Sequence, residues 1–263
     1  MDEAQIKEMV RARYGGIAAQ ASGAGCCAPA TSSCCGPETA SYDNARRMGY
    51  SEAELAVAPE GANLGLGCGN PQAIAALQPG EVVVDLGSGA GFDCFLAARQ
   101  VGDDGRVIGV DMTHEMLTKA RDNAARIGAG NVEFRLGELE HLPIADNTAD
   151  VVISNCVINL VPDKAQVFRE AFRVLKPGGR LAVSDVINIA PLPAELRADP
   201  ALLCGCVAGA APAERIEAWL SAAGFVEPHV TPDFESREMV TSWAAGRGIE
   251  NYIAPAMVEA RKP

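Results

Sequence analysis

Residues 82–93 read V-V-V-D-L-G-S-G-A-G-F-D, and no other stretch limits the possible folds so strongly. An apolar run of strand length ends in an acid, Asp85. Glycines at 87, 89 and 91 follow, and then a segment with helical spacing. Glycine permits a tight turn and lets a ligand approach the backbone closely. A strand that enters a helix through such a turn belongs in a sheet with its ligand at the carboxyl edge of the strands. The rest of the chain agrees. Arg106–Val110, Asn131–Leu136, Ala149–Ser154 and Arg180–Asp185 read as further strands, the last preceded by a P-G-G turn. Thr113–Ile127 and Lys164–Leu175 read as helices between them. Short apolar strands alternating with helices make parallel βαβ units with right-handed crossovers, so the expected fold class is α/β with a doubly wound sheet. Beyond 190 the pattern loosens: Ala213–Ala223 reads as helix, Phe225–Thr231 as extended, Glu238–Ala245 as helix.

At 263 residues, 48% of them hydrophobic, the chain can bury one large domain with a smaller appendage. Its net charge of −12 repels phosphate backbones, so neither nucleic acid nor an anionic membrane is an expected partner. The opening M-D-E-A-Q-I-K-E-M-V lacks the basic region and apolar run of a secretory signal. No apolar stretch approaches the ~20 residues that span a bilayer. These readings predict a cytoplasmic protein, with a monomer favoured and no further regulatory module after 263. Nine cysteines in that compartment should be thiols, and an odd number argues against a complete disulfide framework. Residues 3–14 read as a short amphipathic helix. Residues 15–41, rich in Gly, Ala, Ser, Pro and Cys, read as a flexible loop carrying Cys26-Cys27 and Cys34-Cys35.

The glycine turn reads as a nucleotide-cofactor site. Asp111 ends the following strand about 20 residues on, a spacing that suits hydrogen bonds to ribose hydroxyls. Asp85 can attract a cationic group, and Glu138, in G-E-L-E-H-L-P at 137–143, can accept from an adenine amino group. Both features favour S-adenosylmethionine. A pyrophosphate-binding turn would more often be G-x-G-x-x-G. Ser88, Met112, Leu139 and Asn155 are the flanking positions expected to complete the cofactor contacts. Taken together, D-L-G-S-G-A-G, G-V-D-M, G-E-L-E-H-L-P and V-L-K-P-G-G-R resemble class I S-adenosylmethionine-dependent methyltransferases over roughly residues 75–190. The resemblance implies a Rossmann-like sheet.

Three cysteines sit in unusual settings: Cys68 in G-L-G-C-G-N-P, Cys156 in S-N-C-V-I-N-L and Cys206 in C-G-C-V-A-G-A. Cys156 falls at a strand's carboxyl end, where α/β sites form. Cys68 lies in a glycine-rich loop where no core demands it. Cys204 leaves open which thiol of its pair faces a ligand, whereas Cys94, on the helix after the turn, reads as a small buried hydrophobe. Adjacent cysteines do not have the C-x2–4-C spacing of structural zinc. With Y-G at 14–15 and S-C-C-G at 33–36, these contexts resemble arsenite S-adenosylmethionine methyltransferases along nearly the whole chain. The resemblance implies that Cys68, Cys156 and Cys206 bind trivalent arsenic, arsenite or methylarsenite. It also implies that Cys34 or Cys35 joins in redox cycling with a thiol reductant, glutathione or thioredoxin. Soft thiolates select soft centres. The arsenic lone pair carries no proton, so no general base is needed, and His114, His141 and His229 are expected to be surface or local structural residues. The expected organisation is an N-terminal helix and cysteine-rich mobile arm (1–71), a cofactor-binding Rossmann-like domain (72–190) and a small α+β arsenic-binding domain (191–263). The competing readings are a thiol-based arsenic-sequestering protein and a methyltransferase acting on carbon or oxygen of a small molecule, which would usually need a base.

Overall fold

Each strand of the glycine-turn region is apolar on both faces, and the computed structural model of the protein, which describes residues 1–20 and 38–263, shows why. The strands are β1 (Val82–Leu86), β2 (Arg106–Asp111), β3 (Val132–Leu136), β4 (Ala149–Asn155), β5 (Leu175–Asn188), β6 (Ala211–Pro212), β7 (Val226–Pro232) and β8 (Ile253–Arg261). They form one sheet in the order β3-β2-β1-β4-β5-β8-β7, with the short β6 pairing β5. The pairings from β3 to β5 are parallel, and β8 runs antiparallel to both β5 and β7. Helices cover both faces, as a parallel sheet requires. Successive residues of β1 alternate between faces. Val84 and Leu86 pack with Phe168 and Val174 of α7 (Lys164–Val174) and Leu220 of α10 (Ala213–Ala223). Val83 packs with Phe95 and Ala98 of α5 (Phe92–Val101) and Leu117 of α6 (His114–Ile127).

The strand order reverses at β1, which lies between β2 and β4. The turn after β1 and the turn after β4 therefore open side by side at the carboxyl edge, the place where ligands bind in such sheets. Over this edge lies a cap. It is built from α1 (Glu3–Gln20), α2 (Glu38–Arg47) and α3 (Glu52–Leu55) with their loops, whereas α4 (Gln72–Ala75) packs on a sheet face with Val83 and Val101. Further along the chain the cap draws on α8 (Ala194–Arg197), α9 (Pro200–Leu203) and α11 (Arg237–Trp243). Val10, Leu160, Leu192, Leu202, Val240 and Ile249 form its apolar core, and Cys68, Cys204 and Cys206 belong to the same cluster.

Three features depart from the sequence reading. The first helix continues from the expected end near 14 to Gln20, and its Gly15 packs closely against the Glu115 side chain of α6 (an added Cβ would lie 3.1 Å from Glu115 Oε2). The expected loop is thus entered and left by helix, and Cys26, Cys27, Cys34 and Cys35 lie outside the described residues. Pairing of β5 begins at Leu175 rather than Arg180, with the P-G-G segment absorbed in a register shift opposite Ala149 and Val151. Finally, β7 and β8 extend the main sheet, so it runs straight through the boundary expected at 190. Among the described residues no helix is long and apolar enough to cross a membrane.

Candidate active site

A cavity of about 450 Å³ lies between the carboxyl edge of the sheet and the cap. Its floor includes the glycine turn, Asp85, Asp93 and Asp111, and its far wall includes Cys156, Cys204 and Cys206. A shallower groove of about 960 Å³ runs between Arg99 and Glu133 and is lined by none of these groups.

In the turn after β1, Gly87 has φ 74°, and a Cβ there would lie 2.6 Å from Val157 Cγ2. Gly91, φ 92°, meets the Phe95 and Phe134 rings in the same way. Positive φ and close packing together require glycine at both positions. Asp111 closes the turn from the next strand: Gly89 N donates to Oδ2 at 2.9 Å and Thr113 N to Oδ1 at 2.8 Å. Burial raises its carboxyl pKa against these bonds. Ser88, 7% exposed, has a buried hydroxyl with no partner among the described residues.

Two buried acids face the same space. Burial, with the neighbouring charge of Asp93, pushes Asp85 up to about 8. Its Oδ2 accepts from Cys94 Sγ at 3.1 Å, so Cys94 is buried as expected but is also hydrogen-bonded, and burial holds its thiol pKa well up. Asp93 is raised mainly by burial, although it accepts from Tyr50 Oη (2.7 Å) and Gln72 Nε2 (3.1 Å). Among the described residues no Lys or Arg forms an ion pair with either acid. Two buried carboxyls without a cation, beside an orphaned hydroxyl and a bare glycine turn, suit a ligand that brings its own positive charge and hydrogen-bonding groups. S-adenosylmethionine, with a sulfonium and an ammonium, fits that donor set.

Glu138 is placed differently from the expectation. Its oxygens take Lys7 Nζ and Arg11 Nη2, both at 2.6 Å, and it is absent from the cavity lining, which its neighbours Leu139 and Glu140 share. The reason is α1, which lays cations over this loop; Lys7 also reaches Glu140 at 3.0 Å. Glu138 clamps the cap rather than facing an adenine amino group. Met112 and Asn155 do line the cavity.

Cys156 and Cys206 occupy the left-handed region, with φ 57° and 63°. Non-glycine residues held there cost on the order of 1–3 kcal/mol each and concentrate at functional sites. Cys156 N donates to Ser184 O at 2.8 Å, and Cys206 Sγ donates to Cys156 O at 2.9 Å. Cys68, between two glycines, comes from the other side, its Sγ 3.9 Å from Ser184 Oγ. The sulfurs of Cys68 and Cys156 and a carboxylate oxygen of Asp185 lie within 4.8 Å of one another. Hydrogen bonding with Cys206 and Cys68, and then burial, drives the Cys156 thiol pKa well up. Cys206 is also raised: its contact with Cys156 pulls downward, but burial and the charges of Asp185 and Cys68 prevail. Cys204 is buried too, raised by burial, and its carbonyl accepts from Tyr14 Oη at 3.1 Å. His114, His141 and His229 are all exposed and away from the cavity.

The sequence reading left Asp185 unassigned. Burial pushes its carboxyl up to about 6. It accepts from Ile158 N (2.9 Å), Asn159 Nδ2 (2.8 Å) and Val186 N (2.7 Å), pinning the turn that follows Cys156 to β5. Tyr50, Gln72 and Asp93 were likewise unmarked, because only the fold brings them together.

Comparison with known proteins sets this geometry in a family. Residues 77–227 match the family described as a methyltransferase domain. An arsenite methyltransferase of Halobacterium salinarum is 52% identical over 267 residues, covering 100% of this chain and 68% of that protein. The arsenite methyltransferase of Homo sapiens is 42% identical over 157 residues, 56% of this chain and 42% of its own length. A crystal structure of an arsenic(III) S-adenosylmethionine methyltransferase from Chlamydomonas reinhardtii superimposes with a TM-score of 0.62 at 34% identity, over 87% of this chain and 75% of that one. A methyltransferase fold with three thiols converging on Cys156 at the wall of its turn cavity, matched from end to end by such a relative, places the chain in the arsenite methyltransferase family.

Proposed function

We propose that the protein methylates trivalent arsenic, with Cys68, Cys156 and Cys206 holding the metalloid at one end of the cavity. The observation that carries this is the meeting of three thiols from segments far apart in sequence beside the glycine turn. Arsenite arrives as As(OH)3. Each exchange forms an As–S bond, breaks an As–O bond and releases the hydroxide as water with the thiol proton. Buried, protonated thiols are therefore suitable partners, and the exchange leaves no net charge in the cap. The product is a pyramid with its lone pair at the apex, and three fixed sulfurs orient that apex. S-adenosylmethionine, when bound at the turn, supplies an electrophilic sulfonium methyl group for the arsenic lone pair. Asp85 and Asp93 offer negative charge to the cofactor's cationic groups, Asp111 the ribose hydroxyls' acceptor, and Ser88 an unused hydroxyl.

Gaining a methyl cation takes arsenic formally from the trivalent to the pentavalent state. An incoming thiol attacks an arsenic-bound cysteine sulfur: one S–S bond forms, the As–S bond breaks with its electron pair returning to arsenic, and one proton leaves. Cys34 or Cys35, paired with Cys68, fills that role in this reading, and a thiol reductant, glutathione or thioredoxin, reopens the bond. A transient disulfide of this kind belongs in a reducing cytoplasm. The test is to incubate the protein with labelled S-adenosylmethionine, arsenite and a thiol and to separate the arsenic species. Label in methylarsenic supports the reading. Arsenite bound stoichiometrically without label transfer points to sequestration instead.

A further inference from the structure

We infer that Asn155 is a positioning residue that couples the cofactor end of the cavity to the Cys68 loop, so that the two ligands strengthen each other's binding. The inference rests on the arsenic-binding reading above. Asn155 ends β4, immediately before Cys156. Its Oδ1 accepts the Cys68 backbone N–H at 3.1 Å, and its Nδ2 donates to Gly69 O at 2.8 Å. One amide thus holds the Cys68 peptide on both sides. The same Nδ2 donates to Tyr50 Oη at 3.0 Å and to Asp93 Oδ2 at 3.3 Å. Tyr50 in turn donates to Asp93 Oδ1 at 2.7 Å. Asn155 and Asp93 both line the cavity.

The loop has little freedom apart from this clamp. A Cβ on Gly67 would lie 2.9 Å from Asn155 Oδ1, and one on Gly69 would run into the Ser184 hydroxyl. The position of the Cys68 sulfur therefore follows the orientation of the Asn155 amide. That orientation follows Asp93, the carboxyl acceptor in the network. A cationic ligand beside Asp85 and Asp93 favours the carboxylate form and so strengthens the charge-assisted bonds that Asp93 accepts. The amide is then fixed with Oδ1 toward Cys68, and the loop is set for arsenic. Coupling between sites is reciprocal, so arsenic on the thiols must tighten the cofactor to the same degree.

The experiment is calorimetric titration of a non-transferring S-adenosylmethionine analogue that carries an amine at the sulfonium position, with and without saturating arsenite. Arsenite should tighten the analogue by about 5-fold or more in the unaltered protein. In Asn155→Ala the two affinities should agree within about 2-fold, as for independent sites. Tyr50→Phe, which removes one hydroxyl and leaves the Asn155 contacts to Cys68 and Gly69, should lose part of the coupling, and it serves as the test if Asn155→Ala does not fold. In steady state, Asn155→Ala should lower kcat/KM for arsenite more than for methylarsenite, which needs one thiol fewer. A general loss of packing would lower both alike. Equal affinities in the unaltered protein, or coupling that survives both variants, overturns the inference while leaving the proposed reaction intact. Failure of arsenite to bind at all removes both.

Discussion

The sheet half of the cavity and its thiol half differ in which residues bear unusual backbone conformations. On the sheet side, positive φ is assigned to glycines 87, 89 and 91, where it carries no side-chain penalty. On the thiol side, Gly65 and Gly67 also take positive φ, but so do Cys156 and Cys206, whose strain is held by bonds across long sequence distances, from Asp185, Ser184 and the cysteines themselves. The sheet side is shaped to let a ligand's backbone contacts approach. The thiol side is shaped to aim sulfur. The two halves should therefore fail separately when altered.

The largest effects belong to the thiol side. Cys156→Ser and Cys206→Ser should abolish methylation of both arsenite and methylarsenite. Cys68→Ser should abolish only the first, because methylarsenite has two exchangeable positions. Cofactor affinity measured without arsenic should be unchanged in all three. If Cys68→Ser stops both substrates equally, the thiols are not divided in this way. Next in size, Cys34→Ser/Cys35→Ser should bind arsenite normally but stall in multiple turnover, and mass spectrometry after turnover with limiting reductant should find a Cys68-containing disulfide only in the unaltered protein. A Cys26→Ser/Cys27→Ser protein that stalls instead would move the redox role to the other pair.

The sheet side offers two smaller tests. Asp111→Ala removes charge-assisted bonds worth about 1.5–3 kcal/mol each, so S-adenosylmethionine should bind roughly ten-fold or more weakly while arsenite binding, measured without cofactor, stays put. Asp85 gives a pH signature. Its carboxyl, at about 8 in the free protein, is protonated near neutrality, and a cationic ligand favours its ionised form. Cofactor binding should release protons near pH 7, seen as a buffer-dependent binding enthalpy. Affinity should rise by up to about ten-fold per pH unit below 8 and flatten above it. The same raised value means that ionising Asp85 opposes folding: its burial penalty is absent below about pH 4 and grows as pH rises toward 8. Asp85→Asn should therefore raise Tm at pH 7–8 while weakening the cofactor, and a flat pH profile in the unaltered protein would remove Asp85 from the cationic site.

What the sequence discloses divides along the same line. β1, its turn and Asp111 are legible because strand, glycines and acid lie close together, each with a period that specifies its structure. β8 is not, because I-A-P-A-M-V-E-A-R carries Pro255, which argues against a central strand, yet it sits between β5 and β7. The three thiols could be singled out from their settings, but Asp185, Asp93 and Tyr50 gain meaning only when strands distant in sequence are paired. Glu138 shows the reverse error: its spacing suited an adenine acceptor, and two cations from α1, some 130 residues away in sequence, claim it instead. Local pattern reveals the turn, but not which helix lies over it.

The left-handed cysteines also bear on how such a chain would drift. At 156 and 206 the backbone conformation is one that glycine would adopt without strain, so the thiols proposed to bind arsenic carry a conformational cost at both positions. Selection by the metalloid must keep opposing that cost. A lineage that ceased to meet arsenic would be free to trade that strain against the packing of the two side chains in the cavity wall. These two residues are therefore where exposure history would be written first, long before the fold recorded any change.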